Sequence, residues 1–512
     1  MNRNEIRRRI IDGASIETDI VEKTDVAVIG SGPGGAAAAA LLSEAGLDVV
    51  VCEEGGYFDQ TDFTHSFLDA VFNLYRNNCV TGVIGHPPIL IPEGQCVGGT
   101  SVINSGTCFR TPDYILQTWR LASGVEDISP AIMAPIFDEV EKRNSVEELS
   151  REIWGPNALA VERGAHELGL SFKPMLHNAV GCRGCGTCTF GCTDGAKQTP
   201  DIVYLPGVLQ RGGRIYSRAK VKRISTHCGR ASGFEGVFCD TRGKETPRRF
   251  RIEAKIVVLA AGTLNTPVLL KVSKLGLESG QVGKNLSIHP ATRVLAQFDE
   301  DISGWNGVPQ GTYIDDFAKD GIMFEGIFVP PSVSAVGLPY NGAALKDAFM
   351  KNFKNISMYG VIISDTSRGI VLNRRGRHMG MYQMNKLDST RMLRGIQILC
   401  EIYRAAGAKR IFPGVGEIKE IPLNQIGELA NRKAKSSDFK LMAFHPLGSC
   451  AMGPDPATSV TDSWGEVHAA PGLFITDGST APSPVGVNPQ ITILALAHRA
   501  ARHILNEKMR YF

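Results

Sequence analysis

Between Asp25 and Gly55 the chain reads DVAVIG, SGPGG, AAAAALLSEAG and LDVVVCEEG: an apolar run, a glycine-rich break, an alanine-rich run and a second apolar run. Short runs of Val and Ile bounded by glycine suit strands buried on both faces. The alanines suit a helix lying close against them. Gly30, Gly32 and Gly35 form G-x-G-x-x-G at the strand-to-helix turn. The first glycine permits the tight turn, the second lets backbone approach a pyrophosphate, and the third lets helix and strand pack closely. Free amides and the dipole at the helix start favour the phosphates. Glu53, eighteen residues after Gly35 at the end of the second strand, stands where a carboxylate accepts hydrogen bonds from a ribose. This segment predicts a dinucleotide site without separating FAD from NAD.

Two distant pieces share the same buried character. KIVVLAAG (255–262) is followed by the turn and helix TLNTPVLLKVS, and GLFITDGS (472–479) by the helical ITILALAHRAARHIL. The expected fold is therefore mixed α/β, a discontinuous Rossmann-like cofactor-binding domain carrying an inserted antiparallel-sheet substrate domain. The expected boundaries are a polar N-terminal arm over 1–24, the cofactor-binding domain over 25–112, 200–292 and 441–512, a cap or linker over 113–199, and the substrate domain over 293–440. The last stretch mixes short runs (RVLAQF, MYGVIIS, GIVLNR) with one clear helix, STRMLRGIQILCEIYRAAG.

A net charge of +3 on 512 residues argues for neither nucleic-acid binding nor electrostatic membrane attachment. The first residues lack the apolar core of a secretory signal, and no run reads as a transmembrane segment. The expected location is cytoplasmic, with peripheral attachment to the inner face of a membrane as the variant.

The segment GQCVGGTSVINSGTCFRTP (94–112) offers Gly98, Gly99, Thr100 and Asn104 for close backbone approach to a ligand. The segment 444–504 contains FHPLGSCAMG, GLFITDGS and NPQITI in that order. In these motifs the chain resembles the glucose–methanol–choline family of FAD oxidoreductases. That family also carries G-G-[ST]-x-x-N, with one extra residue here before Asn104, and segments similar to Gly262–Pro267 and Val282–Pro290. The resemblance implies FAD as cofactor, His445 and Asn488 as the catalytic pair, Asp477 near the ribityl and pyrophosphate, and a helix from Pro489 aimed at the flavin. His289 and His468 are read as structural.

The implied reaction removes a proton and a hydride from an alcohol. Hydride goes to the flavin. A histidine suits the general base and an asparagine suits a donor to the oxygen. The partners expected are a small-molecule alcohol and an electron acceptor: a quinone, a cytochrome or other carrier, or oxygen. Two alternatives stay open: a non-redox flavoprotein of the same fold, a lyase or decarboxylase, and an electron-transfer subunit of a larger complex.

Cys182, Cys185, Cys188 and Cys192 crowd four of the twelve cysteines into C-x2-C-x2-C-x3-C, followed by GAKQT. The branch of the family resembling long-chain alcohol oxidases and certain sugar dehydrogenases has a similar segment. The spacing is that of bacterial ferredoxins, and an iron–sulfur cluster, [4Fe–4S] or [3Fe–4S], is the preferred expectation. A zinc site and a metal-free structural loop remain as alternatives.

Overall fold

The computed structural model describes residues 1–328 and 350–512. Its larger sheet has eight strands. Six are parallel, in the spatial order Ile11–Asp12, Arg214–Ser217, Val49–Cys52, Ile20–Ile29, Glu245–Leu259, Leu473–Ile475. Three distant segments of the chain thus meet side by side. The 15-residue strand Glu245–Leu259 makes this possible. Its second half pairs with Leu473–Ile475, and its first half pairs antiparallel with Arg230–Cys239, which continues to Ala219–His227.

The VAVI run is buried on both faces, as its composition demands. Val26 and Val28 pack with the helices Pro33–Glu44 and Gln490–Asn506, whereas Ala27 and Ile29 pack with Phe234, Phe250 and Leu270 on the other side. Ala36 to Ala39 are fully buried. A larger side chain in that row would overpack the helix against its neighbours at about 1–3 kcal/mol.

The second sheet is antiparallel, ordered Arg410–Phe412, Ala291–Gln297, Ile356–Ile363, Ile322–Gly326, Thr312–Ile314, Lys173–Pro174. One face carries Val294, Ala296, Phe324, Tyr359 and Val361 and packs on the helices Lys386–Ala405 and Pro156–Glu167. The opposite face looks toward the first sheet, and a cavity lies between them.

Some boundaries differ from those expected. Residues 1–24 are not merely an arm: Ile11–Asp12 pairs at the edge of the large sheet, and the central strand already begins at Ile20. The stretch 113–199 contributes a strand and a helix to the substrate side. GIVLNR leaves that side altogether and forms a four-stranded sheet with Arg377–Met381, Gly82–Ile84 and Ile89–Leu90. Alternation marks a strand but not its neighbours. Within the expected 293–440 region, 329–349 lie outside the described residues. Among the described residues no helix is long and apolar enough to cross a membrane.

Candidate active site

The nucleotide end of the cavity is made of backbone. Gly30 ends the central strand at φ +91°, and a Cβ there would strike the Ala260 carbonyl. Gly99 has φ +62°, and a Cβ on it would lie 2.7 Å from the Gly32 Cα. The two glycine loops therefore touch. Hydrogen bonds fix them: Gly98 N donates to Ser31 Oγ (3.1 Å), and Ser31 donates to Glu53 from both N (2.9 Å) and Oγ (2.7 Å). Gly55 N also donates to Glu53 (2.9 Å). Burial raises the Glu53 carboxyl despite these bonds.

Asp477 accepts from Gly262 N (2.9 Å), Ser479 N (2.9 Å) and the Thr266 hydroxyl, tying together the turns that follow the strands Glu245–Leu259 and Leu473–Ile475. The helix after Pro489 starts against the Gly98–Asn104 loop, where Gln490 Oε1 accepts from Ser101 Oγ (2.9 Å) and from Asn104.

Gly30, Gly32, Glu53, Gly99, Thr100, Asn104, Asp477 and Pro489 line one cavity of ≈2020 Å³, together with His445 and Asn488. Gly35 and Gly98 stand behind its wall: the Gly30 carbonyl fills the place of a Gly35 Cβ, and Asp201 crowds Gly98. The volume exceeds the roughly 300–1,000 Å³ of an ordinary small-molecule site. It has room for a dinucleotide cofactor with a substrate beside it. The glycine cradle, the acidic residue and the helix start all fit FAD.

The reacting end is made of side chains. His445 Nε2 and Asn488 Nδ2 are 3.1 Å apart, both residues being buried. His289, expected to be structural, instead meets His445, Nδ1 to Nδ1 at 3.3 Å. Its far nitrogen, Nε2, accepts the Gly486 amide (3.1 Å). A backbone amide can only donate, so neutral His289 must carry its proton on Nδ1 and give it to His445 Nδ1. Neutral His445 then carries its own proton on Nε2. Burial keeps both rings neutral, pushing His445 down to about 4 and His289 well below the usual histidine range. His445 Nε2–H and the Asn488 amide are thus two donors facing one point with no acceptor between them. Asn488 Oδ1 is buried without a partner.

Beside this pair stands Glu325, which sequence reasoning passed over. Its Oε2 accepts from Asn488 Nδ2 (3.4 Å) and from Gln310 Nε2. Burial pushes its carboxyl up to about 7, with the two hydrogen bonds opposing. Its neighbour Gln310 accepts in turn from Thr107 Oγ1 (3.1 Å). His468, by contrast, is structural as expected, held by Ser459 Oγ at 2.8 Å and the Gly453 carbonyl at 3.2 Å.

The cysteine run does not form the expected ligand set. Among the described residues no three histidine, cysteine, aspartate or glutamate side chains gather as metal ligands. The thiols serve the loop itself. Cys192 Sγ accepts the Lys197 amide (3.3 Å), and Cys185 Sγ lies 3.0 Å from Thr187 Oγ1. Burial pushes the Cys188 thiol up to about 12. Lys197, in GAKQ, is the loop's bolt. Its Nζ is buried and donates to the carbonyls of Val102 (2.8 Å), Cys188 (2.8 Å) and Asn104. The cysteine loop is thereby fastened to the Gly98–Asn104 loop, and its Gly186, Thr189 and Phe190 reach the cavity wall.

Known proteins share this organisation. The sequence-family models for the GMC oxidoreductase match residues 71–291 and 375–497, and an FAD binding domain model matches 23–61. A GMC-type oxidoreductase of Mycobacterium tuberculosis, itself uncharacterized, is 34% identical over 94% of this chain and 76% of its own. A long-chain-alcohol oxidase of Arabidopsis thaliana is 28% identical over 94% of this chain and 67% of its own. Among solved structures, pyridoxine 4-oxidase from Mesorbium loti has the same fold, with a TM-score of 0.72 at 19% identity over 94% of this chain and 99% of that one. Matched by its family models across more than half its length and by a relative 34% identical to it, the chain belongs to the GMC oxidoreductase family.

Proposed function

We propose that this chain uses FAD to oxidise the CH–OH group of an alcohol to a carbonyl. The observation that carries the reading is the pair of inward donors, His445 Nε2–H and Asn488 Nδ2–H, 3.1 Å apart at the wall of the cavity that also takes in the Gly30 turn. An oxygen seated about 2.9 Å from each donor would give His445 Nε2–H an acceptor and the Asn488 amide a second one beside Glu325. That oxygen becomes alkoxide-like as the reaction proceeds, so donors fixed in advance favour the transition state. Bound flavin supplies the hydride acceptor.

The hydroxyl proton needs a base. His445 was the natural expectation, but its Nε2 already bears a proton. Glu325 suits the task better: it is within hydrogen-bond reach of Asn488, lines the cavity and has its carboxyl raised to about 7. In this reading His445 and Asn488 hold the oxygen, Glu325 takes its proton, and His289 keeps His445 in the donating tautomer. The long-chain-alcohol oxidases of Arabidopsis thaliana and a 2-methyl-1,2-propanediol dehydrogenase of Mycolicibacterium austroafricanum among the relatives support an alcohol as the substrate class. No step is routed through an iron–sulfur cluster, because the cysteine loop is not arranged to hold one.

The test is anaerobic. Primary and secondary alcohols are added under argon to the FAD-loaded protein, and the flavin absorbance is followed. Bleaching by at least one alcohol is expected. A flavin that dithionite reduces but no alcohol bleaches would sink the proposal.

A further inference from the structure

The substrate wall carries a second polar feature that the reaction does not use. In the antiparallel sheet Glu325 pairs with Gly360, and Gly360 pairs with Arg293. Residues directly opposite one another point to the same face, so Glu325 and Arg293 share the cavity face with a glycine between them. All three line the cavity. Two strand spacings put the Cα atoms of Glu325 and Arg293 about 10 Å apart. The missing side chain at Gly360 leaves a channel from one to the other, flanked by Ile362, Leu295 and Phe412.

The Arg293 guanidinium has no hydrogen bond or ion pair with any described residue, and no acidic side chain acts on it. Burial alone weakens its hold on the proton. Lys440 lines the same wall, and burial, with the charge of Arg293 added, pushes its ammonium down as well. A largely buried guanidinium with no counter-ion is costly unless something else supplies one. Arginine's planar fork matches a carboxylate in two parallel hydrogen bonds.

We propose that Arg293 is a specificity residue that binds a carboxylate on the substrate, so that the alcohol oxidised is a hydroxyalkanoate with an aliphatic spacer between its two polar ends. The hydroxyl sits between His445 and Asn488, the spacer crosses Gly360 along Ile362, Leu295 and Phe412, and the carboxylate reaches Arg293. This inference rests on the alcohol-oxidation reading for the identity of the other end.

The experiment uses the FAD-loaded protein and its Arg293→Gln and Arg293→Lys variants. Anaerobic flavin reduction is measured with octanol and with ω-hydroxyoctanoate, and octanoate is titrated as a non-reacting ligand by its perturbation of the flavin spectrum. The ratio of kcat/KM for ω-hydroxyoctanoate to that for octanol is expected to fall about tenfold or more in Arg293→Gln, chiefly through KM, with part of it retained in Arg293→Lys. Octanoate is expected to bind the wild type and to lose affinity by a similar factor in Arg293→Gln. Octanoate binding that is absent, or equal in both proteins, overturns the proposal, as does an Arg293→Gln variant that slows both alcohols by the same factor. If neither alcohol bleaches the flavin while octanoate still binds through Arg293, the carboxylate site stands and the alcohol-oxidation reading fails.

Discussion

The two ends of one cavity are built by opposite means. At the nucleotide end the ligand-facing surface is backbone: Gly30 and Gly99 are in conformations that favour glycine, and a Cβ at Gly99 would leave only 2.7 Å to Gly32. At the reacting end it is side chain: His445, Asn488, Glu325 and Arg293 come from four separate segments, and their roles depend on which atoms meet. A backbone cradle tolerates no added atom, whereas a side-chain cluster tolerates shape changes but not the loss of a proton-bearing group. The first end sets whether the cofactor stays, and the second sets what happens once it is there.

The largest effect is expected where chemistry is separated from shape. Glu325→Gln keeps the size and the hydrogen bond to Asn488 but removes the base. Flavin reduction by alcohol should slow about 100- to 10,000-fold while FAD content stays at the wild-type level. Stopped-flow reduction under argon measures the first, and the flavin-to-protein absorbance ratio the second. A comparable slowing with loss of FAD would blur the distinction between the two ends.

Gly99→Val attacks the opposite end. The new side chain must take a positive φ and push against Gly32, a strain of about 1–3 kcal/mol. FAD affinity should fall about tenfold to a hundredfold, read by titrating FAD into the apoprotein, and the rate of the remaining holoenzyme should change less. Lys197→Met is expected to be milder still. It strips the donor from the carbonyls of Val102, Asn104 and Cys188 and loosens the link between the cysteine loop and the flavin loop. Recovered desolvation of the ammonium offsets part of the loss, leaving about 2 kcal/mol of stability, seen as a lower urea midpoint.

What could be read from the sequence follows the same division. The turn at Gly30, the helix of alanines and the strand ends at Glu53 and Asp477 are written in contiguous residues, because each part needs only its neighbours to be recognised. Glu325 sits in GIMFEGIF, where nothing local marks it. Its importance comes from facing Gly360 and Arg293 across two strand pairings whose register no short window contains. His289 lay inside a recognised motif, yet its role depends on the Gly486 amide almost two hundred residues later. The cysteine spacing misled for the converse reason. It repeats a ferredoxin pattern, but the buried Lys197 and the threonines beside the thiols use the loop as a brace.

The central claim concerns where the hydroxyl proton goes, and the pH dependence of flavin reduction tests it most directly. Glu325 can accept a proton only when ionised, and its carboxyl is raised to about 7. His445, pushed down to about 4, is neutral throughout the neutral range. With Glu325 as base, the anaerobic rate should climb about tenfold per pH unit below 7 and level off above it, and the slope should vanish in Glu325→Gln. A rate already level from about pH 5 upward in the wild type would assign the proton to His445 and contradict the account.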